Sequence, residues 1–336
     1  MTATPSPTRR LTVEEMKGYR QGCTQLMPNV PTSYDYVPHL SAGIVFCVLF
    51  SLSMTGHIVQ GIRKRNWTRY VLATGALTEL LGWTGRTWSS QCPYNETAFL
   101  LQITTLIIAP TFFSAAAYLI LGTLIRLSST SSPPSPSRLS VLSPTAYLVL
   151  FCAADAIALA TQAVGGALAS LAQKRGTSTA TGTNIMVGGV VFQMGAMTVF
   201  VGLLADFLRR VWRLGRSNGN CGRMMTRGSK LPLPQGAKWV LLALLTSVAA
   251  IYVRSVYRTV ELLQGWRGYL IVREGYFVAL DAAMMVVAVG VYNVLDPAVL
   301  LLPSCVQEGQ GDGVRAVRDG EVLLGGGEDG KGEEKH

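Results

Sequence analysis

The sequence predicts an all-α, multi-pass transmembrane bundle of seven helices, with the N-terminus outside and the C-terminus cytosolic. Three observations carry this. Only 14% of the residues are charged and 49% are hydrophobic, whereas a soluble domain carries about 25% charged residues. Several apolar runs approach or exceed the roughly 20 residues that cross a bilayer as a helix. The basic residues gather in the connections between those runs, as they do in membrane proteins with positive cytosolic loops. There are no alternating ten-residue strands of a β-barrel. The first 35 residues are polar, so no cleavable signal peptide is expected.

Residues 1–37 read as an extracellular polar leader interrupted by Pro5, Pro7, Pro28 and Pro31. Residues 38–302 read as the transmembrane domain, with spans at about 39–61, 70–88, 98–126, 144–171, 184–211, 238–262 and 275–296. Spans three and five are overlong, so they tilt or extend into the cytosol. Residues 303–336 read as a disordered cytosolic tail, acidic by eight carboxylates against four bases from residue 306 onward. The Ser/Pro-rich stretch Ser128 to Ser143 is expected to be a disordered linker. Pro110 removes a backbone donor inside span three and should kink it. The pairs Gly165-Gly166 and Gly188-Gly189 permit close helix approach.

Counting cations sets the orientation. Arg63, Lys64, Arg65 and Arg69 follow span one, Arg126 and Arg138 follow span three, and eight lie around the fifth connection. The opposite side has four: Lys174, Arg175, Arg267 and Arg273. The loaded side is therefore cytoplasmic. The basic connection 213–238 should lie against anionic inner-leaflet lipids, and a net charge of +10 is read as this bias rather than as a nucleic-acid site. The sequon at Asn95 then falls outside, where it is open to glycosylation, and that at Asn66 falls inside. Cys23 and Cys92 also fall outside, where a disulfide is chemically permitted and would pin the leader to the second connection. Cys221 and Cys305 fall on the cytosolic side, and Cys47 and Cys152 within spans.

Between residues 40 and 300 there are eight acids, four of them within spans: Glu79, Asp155, Glu261 and Asp281. Their basic counterparts are Arg86, Arg254 and Arg258. An uncompensated charge at mid-bilayer costs at least about 2.5–3.5 kcal/mol, so seven together imply pairing or a wet cavity. Glu79, Gly82 and Arg86 share one helix stripe, as do Arg254, Arg258 and Glu261, and as do Asp155 and Gln162. With Gln193 they are read as a substrate pocket entered from the exoplasmic side. The same residues can equally be interhelical clamps. Enzyme signals are absent: His39, His57 and His336 are too scattered for a zinc site or a Ser/His/Asp set, and there is no P-loop. No metal or cofactor is expected.

These polar positions resemble the seven-span fungal lipid-translocating exporter family, named for resistance to aminocholesterol, over about residues 34–302. Tyr34-Asp-Tyr36-Val-Pro38 resembles its opening motif. Glu79-Leu-Leu-Gly82-Trp83-Thr-Gly-Arg86 is similar to its second span, with Trp83 where members have Tyr. Gln102, Ala109-Pro110 and Ala116-Ala-Tyr118 resemble the third span, Asp155, Gln162 and Gly165-Gly166 the fourth, and Gln193 the fifth. Arg254, Tyr257-Arg258, Glu261, Gly265, Glu274, Tyr276 and Asp281 resemble the sixth and seventh. Asp296-Pro297 departs from the His-Pro that members often have.

The resemblance implies movement or sensing of amphipathic lipids, such as sphingoid long-chain bases or sterol-like compounds, at the plasma membrane or a vacuolar one. The four in-span acids would meet an ammonium headgroup and apolar helix faces would hold the chain. A receptor-like lipid sensor and a regulator of another transporter are the alternatives.

Overall fold

The computed structural model describes residues 18, 22–23, 32, 36–130, 143–217, 235–265, 268–270, 273–297 and 300. Seven helices run through them: α1 (Leu40–Lys64), α2 (Trp67–Gln91), α3 (Glu96–Thr130), α4 (Pro144–Lys174), α5 (Ala180–Ser217), α6 (Gln235–Leu263) and α7 (Glu274–Val294). Most of the linker, the basic connection and the tail discussed above lie outside the described residues, and so do Cys221 and Cys305.

Local chemistry sets several of the ends. Arg65 adopts a left-handed conformation (φ 48°) that stops α1. The side chain of Asn66 then accepts from the Thr68 amide at 3.0 Å and starts α2. Asn95 does the same for α3, accepting from the Ala98 amide at 3.0 Å. Helix α3 continues through Pro110 as one element. α7 is composite: an α-turn at Glu274–Phe277, a π segment at Val278–Ala282, and α-helix from Ala283 to Val294.

Consecutive helices pack on one another, α7 returns to α1, and α3 also packs against α6. α3 and α6 are the central pair, about half buried along their apolar windows, whereas α1, α4 and α5 expose most of theirs. The outward faces are aliphatic, with Leu52, Val149, Ile157 and Val199 more than half exposed. Those side chains suit lipid, not water.

Six of the helices are long and apolar enough to cross a membrane; α2 is not among them. Its 25 residues span about 37 Å at 1.5 Å each, so length is not the reason. It carries Arg69, Glu79 and Arg86, and all three are at most 1% exposed. The polarity that lowers the hydropathy of α2 is turned into the protein.

The helices α4 and α5 touch through glycines. A Cβ on Gly165 would meet the Met186 amide at 2.4 Å, and one on Gly182 would meet the Ala169 amide at 2.3 Å. Gly189 packs in the same way against Ala158 and Gln162, while Gly166 and Gly188 face open space. One residue of each sequence pair makes the contact, and Gly182, not singled out in the sequence, supplies another.

Candidate functional site

The polar residues fall into four groups. The central one joins α6 to the π segment of α7. Arg258 donates to both oxygens of Asp281, Nε at 2.7 Å and Nη2 at 3.2 Å, and through Nη1 to Glu261 at 3.1 Å. A two-pronged pair of this kind fixes geometry as well as charge. The Nε of Arg254 lies 3.0 Å from Asp281, and its Nη2 donates to the Leu106 carbonyl of α3. Tyr257 donates to Glu261 at 3.2 Å. Two cations thus meet two carboxylates. Glu79 of α2 is the nearby fifth charge-bearing group, fully buried, with neither carboxyl oxygen hydrogen-bonded among the described residues.

The second group lies at the start of α7. Arg86 of α2 donates to Glu274 at 2.8 Å and to the Tyr36 hydroxyl at 2.9 Å. Its guanidinium carbon sits 4.6 Å from the centre of the Phe277 ring. Glu274 also accepts from the His39 amide at 3.1 Å and touches the His39 ring. Burial pushes the Tyr36 phenol above its ordinary value, opposed by the Arg86 cation. Arg86 thus turns to Glu274 and Tyr36, although it lies on one stripe of α2 with Glu79.

A third group, at the other end of α7, was not visible as a unit in the sequence. Arg69 pairs with Asp296, donates to the Tyr292 carbonyl at 2.8 Å and donates to His57 Nδ1 at 3.0 Å. Arg69 was counted as a loop cation, but it is 1% exposed. Its position two residues inside α2 hid the burial, which comes from α1 and α7 closing over it. Asp296, the residue that departs from His-Pro, is its counterion.

The fourth group lines a cavity between α3, α4, α5 and α6, where about 50 Å³ is open to the centre of a water. Asp155 and Gln162 of α4, Gln193 of α5, and Arg254 and Arg258 of α6 are on its wall with Ser114. Asp155 accepts from Tyr118 at 3.1 Å, and Gln162 donates to Gln193 at 3.0 Å. Apart from Ser255, the rest of the wall is apolar, with Ile103, Ile107, Val190 and Leu262 beside the adaptable Met186, Met194 and Met197. Of the four in-span acids, Asp155 alone lines this cavity; Glu261 and Asp281 are bound to Arg258, and Glu79 stands off the wall.

Outside the bundle, Cys23 and Cys92 are joined by a disulfide with Cα atoms 4.6 Å apart. Asn95 is buried beside it, and its Nδ2 donates to the Gly22 carbonyl at 3.4 Å. Among the described residues no cluster of His, Cys, Asp or Glu has the makings of a metal site.

Comparison with known proteins fits this arrangement. The family model described as RTA1 like protein matches residues 72–303, well over half of the chain. The sphingoid long-chain base transporter RSB1 of Saccharomyces cerevisiae is 33% identical over 283 residues, covering 78% of this chain and 72% of that protein. Protoporphyrin uptake protein 1 of the same species is 28% identical, covering 78% and 90%. Protein RTM1 is 28% identical, covering 66% and 64%. No solved structure matches the chain. With a helical membrane bundle, the family's match across six of its seven helices and a relative this similar, the chain belongs to the RTA1-like family of multi-pass, lipid-handling membrane proteins.

Proposed function

We propose that this protein translocates amphipathic lipids with a cationic head, sphingoid long-chain bases foremost, through the cavity among α3, α4, α5 and α6. The observation that carries the reading is the wall of that cavity. One carboxylate, Asp155, stands two turns of α4 from a carboxamide pair, Gln162 and Gln193, amid methionine and aliphatic side chains, and the two guanidiniums on the wall, Arg254 and Arg258, are neutralised by Asp281 and Glu261. An ammonium suits the carboxylate, head-group hydroxyls suit the carboxamides, and the chain suits the methionines. The water-accessible volume is that of a headgroup rather than a whole lipid, so the chain would leave between helices toward the bilayer. The similarity to a sphingoid base transporter supports the same ligand class.

The remaining assignments belong to the same proposal. All seven helices cross the membrane, α2 with its charges turned inward. The leader faces the exoplasm, a side supported by the disulfide, since such bonds persist in oxidising compartments. Arg254 and Arg258 form part of the cavity wall and Glu261 and Asp281 hold them from behind, with Glu79 and Arg86 setting the position of α2. The connection 213–238 rests on anionic inner-leaflet lipids, the plasma membrane is the site of action, and the chain performs no catalysis. A glycan on Asn95 would displace the Gly22 contact, so it would have to be attached before the leader docks.

Purified protein in liposomes with a labelled long-chain base tests this. Flux from the protein alone, cut at least about tenfold by Asp155→Asn (the factor for 1.4 kcal/mol), is expected. Binding without flux would favour the sensor reading instead.

A further inference from the structure

Two arginines of α2 hold the two ends of α7. Arg86 and Arg69 are seventeen residues apart, about 25 Å of helix. Arg86 grips Glu274, where α7 begins, and Arg69 grips Asp296, just past its end. Each site is closed over by further groups: Tyr36 and the His39 amide at one, His57 and the Tyr292 carbonyl at the other. Between the two ends α7 is interrupted by the π segment, which carries Asp281. Such segments are weak points where a helix bends.

We propose that these two clusters are gates at opposite faces of the lipid path: Arg86–Glu274 on the side of the disulfide and Arg69–Asp296 on the other. The proposal rests on the translocation reading above and adds how access is controlled. Three features carry it. A buried ion pair gains little over a well-packed apolar contact, so as mere clamps these pairs are poorly chosen. At a membrane edge, however, an opening pair is hydrated on both sides, while an opening apolar contact would expose oil to water. Second, the gate at Glu274 is joined to the cavity. The Phe277 ring lies against Arg86 at 4.6 Å and against Arg258, a cavity residue, at 5.2 Å. Arg258 in turn grips Asp281 in the π segment, so a bend there moves Glu274 and the cavity wall together. Third, both pairs are made in this structure. Weakening one pair should shift the population toward a conformation open on that face alone.

Met194→Cys, in the cavity, reports access from each face. Cys47, Cys152, Cys221 and Cys305 are first replaced by serine and the disulfide kept; a membrane-impermeant thiosulfonate is then applied to sealed vesicles of either sidedness. Glu274→Gln should raise the labelling rate from the leader face about tenfold, the factor that corresponds to 1.4 kcal/mol, and leave the other face unchanged. Asp296→Asn should do the reverse. Glu274→Asp, which keeps the charge and shortens the reach, should give an intermediate rise, and it serves if the glutamine variant fails to fold. Exchange of the charges in Arg86→Glu/Glu274→Arg should restore slow labelling. Unchanged rates in folded variants, or rates that rise on both faces together, overturn the gates. Labelling needs no transported lipid. Face-specific labelling without flux would therefore sink the translocation reading and keep the gates, and flux with unaltered labelling would do the opposite.

Discussion

Arg258 is the residue on which the buried charge depends most. It holds two carboxylates at once, Asp281 by a two-pronged contact and Glu261 by a third nitrogen. Removing it leaves Glu261 without its cation and Asp281 with Arg254 alone, in a low-dielectric interior. Arg258→Met is expected to cost about 3–5 kcal/mol, read as a lowered thermal midpoint in detergent. The fourfold change Arg254→Met/Arg258→Met/Asp281→Leu/Glu261→Gln should recover much of that loss, because both cations and both carboxylates leave together; no recovery would mean that the pairing is not what ties α6 to α7. The stripe of Arg254, Arg258 and Glu261 was legible in the sequence, since four- and three-residue steps put side chains on one helix face. The partners were less so. Long arginines reach across helices, and nothing in the spacing of Arg86 or Arg69 points to Glu274 or Asp296. Glu79 and Arg86 share a stripe yet serve different clusters, because seven residues of helix separate them by about 10 Å.

At the scale of elements, helix ends agree with the apolar runs to within a few residues, except α5, which extends to Ser217. Long apolar periodic stretches leave few alternatives in a bilayer. What composition could not convey was irregularity inside a helix. The π segment of α7 has no breaker residue, and Asp281 is the sole charged residue in it; its geometry comes from packing. The glycine contacts were half legible. Glycine pairs mark close approach, but which of the two faces a neighbour depends on helix rotation, and Gly182 gives no local signal at all. Gly182→Ala and Gly165→Ala are each expected to destabilise by about 1–3 kcal/mol, since the added methyl meets backbone rather than a yielding side chain. Gly188→Ala, facing open space, should be neutral or slightly stabilising. Thermal unfolding of the three variants separates them.

For the whole molecule, the disulfide and the leader matter most. The Cys23–Cys92 bond spans 69 residues of sequence, a loop whose closure is worth roughly 4 kcal/mol in the chain-entropy account. It holds the leader near the Tyr36–Arg86–Glu274 cluster. Cys92→Ser should lower the thermal midpoint and loosen that cluster, while the cavity among α3, α4, α5 and α6, which among the described residues has no leader residue on its wall, keeps its ligand. Equal loss of stability and ligand binding would show the two regions to be one unit.

The location of the lipid is the central question, and a photoactivatable sphingoid base answers it most directly. After irradiation of the purified protein in liposomes, peptides carrying the label are mapped by mass spectrometry. Labels on Ile107, Met186, Met194 or Leu262, competed away by unlabelled base and lost in Asp155→Asn, are the expected result. Labels confined to the outward residues Leu52, Val149 and Val199, with none in the cavity, would contradict it.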